Sequence, residues 1–248
     1  MEDTVNEHLN DPLFERSRLV FEDAAILRLL DARVLVAGCG GVGGFVVEAL
    51  ARAGVGELVL VDHDVVSPSN LNRQIVALHS TLDQPKVDVL KQRVEDINPL
   101  CRVDARQTFL APDDMPALVG EKFDFVVDAI DSLNCKVRLV YEAWHQQVPV
   151  VSSMGAGRRV DPRFIRVADL MDTHGCGLAR QMRQRLRKLG VGRGIEVVFS
   201  EELPKAPGPM EAIEGARGRV VNGTASYMPG LFGLTLAGRV IQRLTASE

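Results

Sequence analysis

Cysteine and long hydrophobic runs are scarce in this sequence. Only four cysteines occur among 248 residues, and no two of them form a Cys-x-x-Cys pair. The pattern therefore encodes neither a disulfide framework nor a cysteine zinc site, and we expect a reducing cytoplasm. Apolar runs such as Val34–Ala37 and Leu58–Val61 are strand-sized, far below the ~20 residues that cross a bilayer. The N-terminus is polar and acidic, so we expect neither a secretory signal nor a transmembrane segment.

The composition is that of a soluble globular protein, but its charge is uneven. Hydrophobic residues make up 46% of the chain and charged residues 25%, which excludes disordered, collagen-like and coiled-coil chains. The segment from Arg158 to Arg193 contains ten Lys and Arg residues but only three Asp, although the net charge of the whole chain is −4. Such a segment suggests a local patch for a polyanion. A solvated helix face is the alternative, and composition leaves both open.

The first 150 residues alternate between strand and helix patterns. Strands are predicted at Arg33–Ala37, Glu57–Asp62, Arg102–Arg106, Phe123–Asp128 and Val148–Ser152, and helices at Val42–Ala53, Gln84–Ile97 and Ser132–Gln146. The last helix places Val137, Val140 and Trp144 at a spacing for burial. This alternation predicts an α/β fold, a Rossmann-like doubly wound and mainly parallel sheet.

After Ser153 the pattern changes. We predict strands at Arg163–Val167 and Ile195–Phe199, an arginine-rich helix at Leu178–Leu189, a long flexible loop at Leu203–Arg219, and a helix from Pro229 to about Leu244. The chain is thus treated as one domain. Residues 1–155 form a nucleotide-binding core, and residues 156–248 form a partly antiparallel elaboration that faces the substrate.

A glycine-rich turn follows the first strand and opens the first helix of this pattern. Its glycines are Gly38, Gly40, Gly41 and Gly43. They let the backbone approach phosphates, and the amides at the helix start favour an anion. Asp62 ends the second strand, where a carboxylate can accept hydrogen bonds from ribose hydroxyls. The turn predicts nucleotide binding but does not separate NAD from ATP, and a tight turn without a ligand remains the alternative.

Polar residues beyond Asp62 favour ATP. A dehydrogenase needs only the ribose acid here, whereas this chain continues with a dense polar stretch up to Gln74. Arg73 and Lys86 are cations able to hold the oxygens of a triphosphate. Asp131, at a strand end, could bind the Mg²⁺ that accompanies ATP.

In combination, five segments resemble the ThiF/MoeB/HesA family of adenylating enzymes, which are related to ubiquitin-activating enzyme. These segments are Gly38–Gly43, Asp62–Asp64, Ser69–Gln74, Gln84–Lys86 and Asp128–Asp131. The resemblance implies a nucleotide-binding set of Gly38, Gly40, Gly41, Gly43, Asp62, Asp64, Asn70, Arg73, Gln74, Lys86, Asp131 and Ser132, with Mg²⁺ at Asp131. The implied catalytic set is Arg18, Arg73, Lys86 and Asp131.

The same resemblance implies a reaction and an assembly. Family members activate a carboxylate by its attack on the α-phosphate of ATP, so no nucleophile from the protein is needed. They work as homodimers in which an arginine near the N-terminus reaches the partner's triphosphate. Arg18 best matches that arginine, and Arg16 is the alternative.

The second half of the chain bears on which carboxylate is activated. Members that adenylate sulfur carriers usually have two Cys-x-x-Cys pairs, which this chain lacks. Instead, its segments resemble the branch of tRNA threonylcarbamoyladenosine dehydratases: Met154–Pro162, Ala168–Leu170, Val197–Pro204 and Asn222–Pro229. Two departures are Arg158, where that branch usually has a further glycine, and Cys176, in a segment normally without cysteine.

The leading hypothesis is ATP-dependent cyclisation of threonylcarbamoyladenosine in tRNA, with Arg158, Arg159, Arg183 and Arg187 as candidate contacts to the RNA. The alternative is adenylation of the C-terminal glycine of a ubiquitin-like sulfur carrier. In that case Cys176 could be reactive and a sulfur-transfer partner is expected, although a free loop cysteine is the simpler interpretation. A scaffold that binds nucleotide without chemistry and a nicotinamide dehydrogenase are the remaining alternatives.

Overall fold

A mainly parallel sheet organises the computed structural model, which describes residues 9–208, 210–213, 216–220 and 222–246. In these residues the sheet has seven strands in the order β3-β2-β1-β4-β5-β7-β6. The strands are β1 (Arg33–Ala37), β2 (Glu57–Asp62), β3 (Arg102–Gln107), β4 (Phe125–Asp128), β5 (Val150–Ser153), β6 (Ile165–Asp169) and β7 (Glu196–Ser200). All neighbours are parallel except β6, which runs antiparallel to β7 at the edge.

Helices cover both faces of this sheet. They are α1 (Asp23–Asp31), α2 (Gly43–Ala53), α3 (Lys86–Ile97), α4 (Met115–Val119), α5 (Leu133–His145), α6 (Gly177–Lys188) and α7 (Met228–Thr245). Successive strand side chains point to opposite faces. Val34 and Val36 pack with α2, α3 and α7, whereas Leu35 and Ala37 pack with α4, α5 and α6. The result is two buried apolar layers on one central sheet.

The predicted fold class is confirmed, and the elaboration is more closely joined to the core than expected. We expected a smaller addition after Ser153. Instead, β7 pairs in parallel with β5 and extends the same sheet, with Ser152 opposite Val197. The prediction of a partly antiparallel elaboration holds through β6 and β7.

Two expectations about the fold were wrong in detail, and one helix was not predicted. The predicted loop at Leu203–Arg219 contains an antiparallel hairpin, β8 (Met210–Ile213) and β9 (Ala216–Val220). Its residues 209 and 214–215 lie outside the described residues. Trp144 is 36% exposed, because its position falls at the edge of the buried face of α5. Helix α1 had no predicted counterpart, although Ala25, Ile26 and Leu29 give it a buried face.

Candidate functional site

The candidate site lies where the carboxyl ends of β1, β2 and β4 meet. The strand order turns at β1, so loops leaving β1 and β4 go to opposite faces and a crevice opens between them. Ala37 is opposite Val61 on one side and Asp128 on the other. The glycine turn, Asp62 and the loop after Asp128 therefore start in one layer of the sheet.

Two of the turn's glycines are required by the backbone. Gly38 has φ of 90°, and a Cβ there would lie 2.6 Å from the carbonyl oxygen of Ala129. A Cβ on Gly43 would lie 1.7 Å from the carbonyl oxygen of Gly38. These contacts press the turn against the β4 loop and bring α2 in with its amino end at the crevice, the arrangement that favours an anion.

Asp62 fastens this turn from the neighbouring strand. Its two carboxylate oxygens accept hydrogen bonds from the backbone amides of Cys39, at 2.7 Å, and Asp64, at 2.8 Å. Each oxygen keeps a lone pair, so ribose hydroxyls can still bind. Burial raises the pKa of the Cys39 thiol well above its ordinary value, and the Asp62 carboxylate acts in the same direction. The thiol therefore stays neutral inside the turn.

Lys86 is the buried cation of the site. It is 4% exposed at the start of α3, and its Nζ donates to Asp64 Oδ2 at 2.7 Å. Potential metal-ligand atoms of Asp62, His63 and Asp64 lie within 4.8 Å of one another, the single group of three or more in the described parts of the chain. Asp131 is not part of that group. One carboxylate with phosphate oxygens and water is nevertheless an ordinary Mg²⁺ set, so the predicted role of Asp131 stays a prediction.

The polar segment after β2 forms a short 3-10 turn with one unsatisfied atom. The Asn70 side chain caps this turn by accepting from the amide of Ser67 at 3.1 Å. Arg73 Nη1 donates to the carbonyl oxygen of Ser69 and to Asn72 Oδ1, both at 2.9 Å. Gln74 is 7% exposed, and its Oε1 is buried without a hydrogen-bond partner in the described structure. A buried orphan atom beside the glycine turn fits a site built for a polar ligand.

Sequence reasoning missed the buried network beneath Asp131. Asp128 Oδ2 accepts from Lys136 Nζ at 2.7 Å and from Ser152 Oγ at 2.5 Å, and all three side chains are buried. The other oxygen accepts from the amide of Ile130 at 3.2 Å, which fixes the loop leading to Asp131. Ser132 follows at the N-cap of α5. A lysine on the apolar face of a helix was the available signal.

Helix α7 forms one wall of the site. A Cβ on Gly41 would lie 3.1 Å from Cβ of Pro229, and a Cβ on Gly233 would lie 2.4 Å from the carbonyl oxygen of Val42. Just before α7, the carbonyl oxygen of Thr224 accepts a hydrogen bond from Asn72 Nδ2 at 3.1 Å. The elaboration therefore contacts both the glycine turn and the polar segment.

The remaining predicted residues lie away from this cluster or are buried. Arg18 forms a bidentate pair with Asp23, both contacts at 2.7 Å, on an exposed N-terminal turn. Arg16 is also exposed. Cys176 is not a loop thiol open to solvent, because it is 5% exposed at the N-cap of α6.

Comparison with known proteins places this geometry in a family. The family model described as "ThiF family" matches residues 14–248. The chain belongs to the ThiF family. It is 38% identical to the tRNA threonylcarbamoyladenosine dehydratase of Bacillus subtilis, over 93% of this chain and 94% of that protein. The enzyme of the same name from Escherichia coli is 36% identical over 79% of this chain and 76% of that protein.

Solved structures agree with the sequence comparison. The Escherichia coli tRNA N6-threonylcarbamoyladenosine dehydratase in complex with ATP has a TM-score of 0.85 and 33% identity, and 93% of each chain is covered. Among ThiF relatives of another activity, the Escherichia coli molybdopterin-synthase adenylyltransferase is 36% identical over only 60% of this chain and 58% of that protein. The predicted resemblance to the dehydratase branch is confirmed. Among the described residues, no helix has the length and hydrophobicity to span a membrane.

Proposed function

We propose that this ThiF-family protein is an ATP-dependent tRNA threonylcarbamoyladenosine dehydratase. The observation that carries the proposal is the dehydratase-like architecture over nearly the whole chain, including α7 and β5–β7, together with a crevice at the glycine turn that holds the buried Lys86. The substrate is the free carboxylate of threonylcarbamoyladenosine in tRNA. Its oxygen attacks the α-phosphorus of ATP and pyrophosphate leaves. The carbamoyl oxygen of the same modification then attacks the activated carboxyl carbon, AMP leaves as its carbon–oxygen bond breaks, and a carbamoyl nitrogen loses its proton as the oxazolone-type ring closes.

The protein's part in this reaction is electrostatic positioning. Two anions must meet, so charge that accumulates between the α- and β-phosphates has to be neutralised. We assign this task to Lys86 and Arg73, and assign nucleotide contacts to Asn70, Gln74 and the turn amides. The buried Nζ of Lys86 supports the assignment to the phosphates. The orphan Oε1 of Gln74 is an acceptor, so its contact would be with a donor of the nucleotide, such as a ribose hydroxyl. Asp64 holds the ammonium in place from its exposed side.

We also assign Mg²⁺ to Asp131. Mg²⁺ bound with ATP would withdraw charge from the phosphate oxygens. The chain contributes a loop whose course is set by Asp128, which binds the amide of Ile130. Ser132, at the start of α5, completes the proposed nucleotide-binding set. Chelation by EDTA would therefore stop turnover, and added Mg²⁺ would restore it.

The proposed division of labour follows the two halves of the domain. Residues 1–155 would bind the nucleotide, and residues 156–248 would face the tRNA. The helix α6 supports this division, because Arg180, Arg187 and Lys188 are exposed on it. Phosphate contacts made by such residues would be weakened by salt. All four cysteines are free thiols, which supports the cytoplasm as the setting.

A product assay tests the function directly. Purified protein is incubated with ATP, Mg²⁺ and threonylcarbamoyladenosine-modified tRNA, and nucleosides are analysed by mild mass spectrometry. We expect a cyclic product that is lost in Asp131→Asn and Arg73→Ala. Absence of product from the wild type, beside an active control enzyme, would refute the dehydratase. If cells that carry either variant keep the wild-type amount of the cyclic nucleoside in their tRNA, the protein is instead a scaffold. If the protein binds NAD but not ATP, it is a dehydrogenase.

The sulfur-carrier alternative has a separate readout. It would give pyrophosphate exchange that depends on a ubiquitin-like protein with a C-terminal glycine, and not on tRNA. The buried position of Cys176 favours the dehydratase, because a thiol that takes part in sulfur transfer has to be reached by its partner. Pyrophosphate exchange that requires the ubiquitin-like carrier and not tRNA would favour the sulfur-carrier alternative, and a sulfur-transfer partner would again be expected.

We further propose a homodimer in which Arg18 serves the partner's site. Next to Arg18, Leu19 and Val20 are 79% and 78% exposed, an apolar surface that a second copy would cover. Arg18→Ala and Lys86→Met are each expected to be inactive. Mixed and re-equilibrated, they form heterodimers with one intact site, so activity should recover to about a quarter of the wild type. Recovery with Arg16→Ala in place of Arg18→Ala would transfer the role to Arg16, and no recovery with either would reject action in trans.

A further inference from the structure

The strongest unexplained feature is a cationic cavity in the elaboration, separate from the glycine turn. Its volume is about 340 Å³, and Arg158, Arg159 and Lys205 line it together with backbone and small side chains at Gly223 and Thr224. None of the described lining residues is acidic. A cavity of this size can hold a phosphate group with its sugar.

Within the described residues, the three cations form no ion pair. Other arginines of this half are paired, for example Arg163 with Asp161 and Arg193 with Asp172. For Arg158, Arg159 and Lys205, no described carboxylate lies within ion-pair distance. A neighbouring carboxylate, that of Glu202, accepts hydrogen bonds from the amides of Val160 and Asp161 rather than from these cations, so the three positive charges favour binding of an anion.

Arg159 is the buried cation of this cavity, and backbone carbonyl groups hold it in place. It is 4% exposed, Nε donates to the carbonyl oxygen of Glu202 at 3.1 Å, and Nη1 donates to those of Gly155, at 2.7 Å, and Gly157, at 3.1 Å. Within the described structure, Nη2 has no hydrogen-bond partner. A buried guanidinium held by carbonyls on one side has donors to spare on the other, as an anion site requires.

Arg158 occupies its position at a conformational cost. Its φ is 62°, in the left-handed region that glycine adopts more easily. The surroundings enforce this backbone, because the amide of Arg158 donates to the carbonyl oxygen of Gly223 and its carbonyl oxygen accepts from the amide of Lys205, both at 2.8 Å. A residue held in a strained backbone conformation beside a cavity points to a use for its side chain.

The cavity adjoins the candidate active site. Thr224 lines the cavity, and its carbonyl oxygen accepts from Asn72 Nδ2, whose chain neighbour is Arg73. A group bound in the cavity would therefore lie beside the segment assigned to the triphosphate.

We propose that Arg158, Arg159 and Lys205 form a subsite for a phosphodiester of the RNA substrate, next to the nucleotide whose carboxylate is activated. This inference rests on the proposed function for the identity of the RNA. The phosphate would be held by Arg159 from below and by Arg158 and Lys205 from the rim, which anchors the RNA while the reacting nucleotide enters the crevice.

The test measures binding of a fluorescent anticodon stem-loop RNA by anisotropy at several salt concentrations. Arg158→Gly and Lys205→Gln are expected to weaken binding about tenfold each and to lower the slope of log affinity against log salt by about one. The KM for ATP should not change. Lys91→Gln, an exposed lysine on α3 paired with Glu95, is the matched control and should bind like the wild type.

The melting temperature distinguishes a variant that has lost a contact to RNA from one that has lost its structure. Arg158→Gly relieves the backbone strain, so its Tm is expected to rise by about 2–4 °C while its affinity for RNA falls. Wild-type affinity in both variants at every salt concentration would overturn the subsite. The subsite would also be overturned if the variants bound RNA like the wild type but pyrophosphate no longer inhibited their cyclisation reaction. That result would mean that the cavity binds the pyrophosphate leaving group. A third outcome would separate the two proposals. If the wild-type protein binds the RNA and the variants bind it more weakly, but the wild-type protein forms no cyclic product, the subsite stands and the dehydratase is rejected.

Discussion

A Lys86→Met variant is expected to lower kcat for cyclisation by about 10²–10³-fold. Lys86 is 4% exposed, and its ammonium is held 2.7 Å from Asp64 at the start of α3. A preorganised cation in a site that excludes water stabilises charge that grows during the reaction more than charge already present in ATP. We therefore expect the effect mainly in kcat, with a smaller change in the affinity for ATP.

Steady-state formation of the cyclic nucleoside at saturating ATP and tRNA gives kcat, and calorimetry gives the affinity for ATP. Lys91→Met is the control, since Lys91 is on the same helix and forms only an exposed pair with Glu95. Its rate should equal that of the wild type. A Lys86→Met enzyme whose kcat stays within about threefold of the wild type would remove Lys86 from the catalytic set, because a loss that small is below what one preorganised donor contributes.

The second large effect concerns stability. Lys136→Met is expected to lower the free energy of unfolding by about 3–5 kcal/mol, because it leaves the carboxylate of Asp128 buried without its counter-charge. Asp128 is fully buried, and Ser152 alone cannot replace the ammonium that lies 2.7 Å away. The loop to Asp131 depends on the same carboxylate, so the remaining folded protein should also turn over more slowly.

Urea unfolding followed by circular dichroism measures this loss. The double variant Asp128→Leu with Lys136→Met removes both charges and should recover much of the stability but not the activity. Lys91→Met, at an exposed pair, should change the free energy of unfolding by less than about 1 kcal/mol. A loss below about 1 kcal/mol in Lys136→Met itself would mean that Asp128 is neutral or solvated, contrary to its burial.

The parts of the fold set by local sequence were predictable. Strands β1 and β2 and helix α2 follow from apolar runs, helical spacing and the glycines between them, and the structure differs by one residue at the start of α2. Helix α3 begins at Lys86 rather than Gln84, because Pro85 occupies its N-cap. The grouping of the glycine turn, Asp62 and Asp128 followed from one rule, that parallel strands end at one edge.

Features set by distant parts of the chain were not predictable. No local signal places β7 beside β5, since that pairing joins segments more than forty residues apart. The strain at Arg158 arises from hydrogen bonds to Gly223 and Lys205, on two other segments. The position of Lys136 on the apolar face of its helix signals burial, but its partners Asp128 and Ser152 lie on β4 and β5, and no local signal identifies them.

The wall that α7 builds against the glycine turn has a consequence for how the protein is made. Gly233 and Pro229 lie against Val42 and Gly41, so the turn has one of its sides supplied by a segment far downstream. During translation the turn leaves the ribosome long before that side exists. A nascent chain can therefore form most of its sheet before α7 is present to cover one side of the nucleotide crevice. We infer that competence to hold ATP is acquired late in synthesis, when α7 docks.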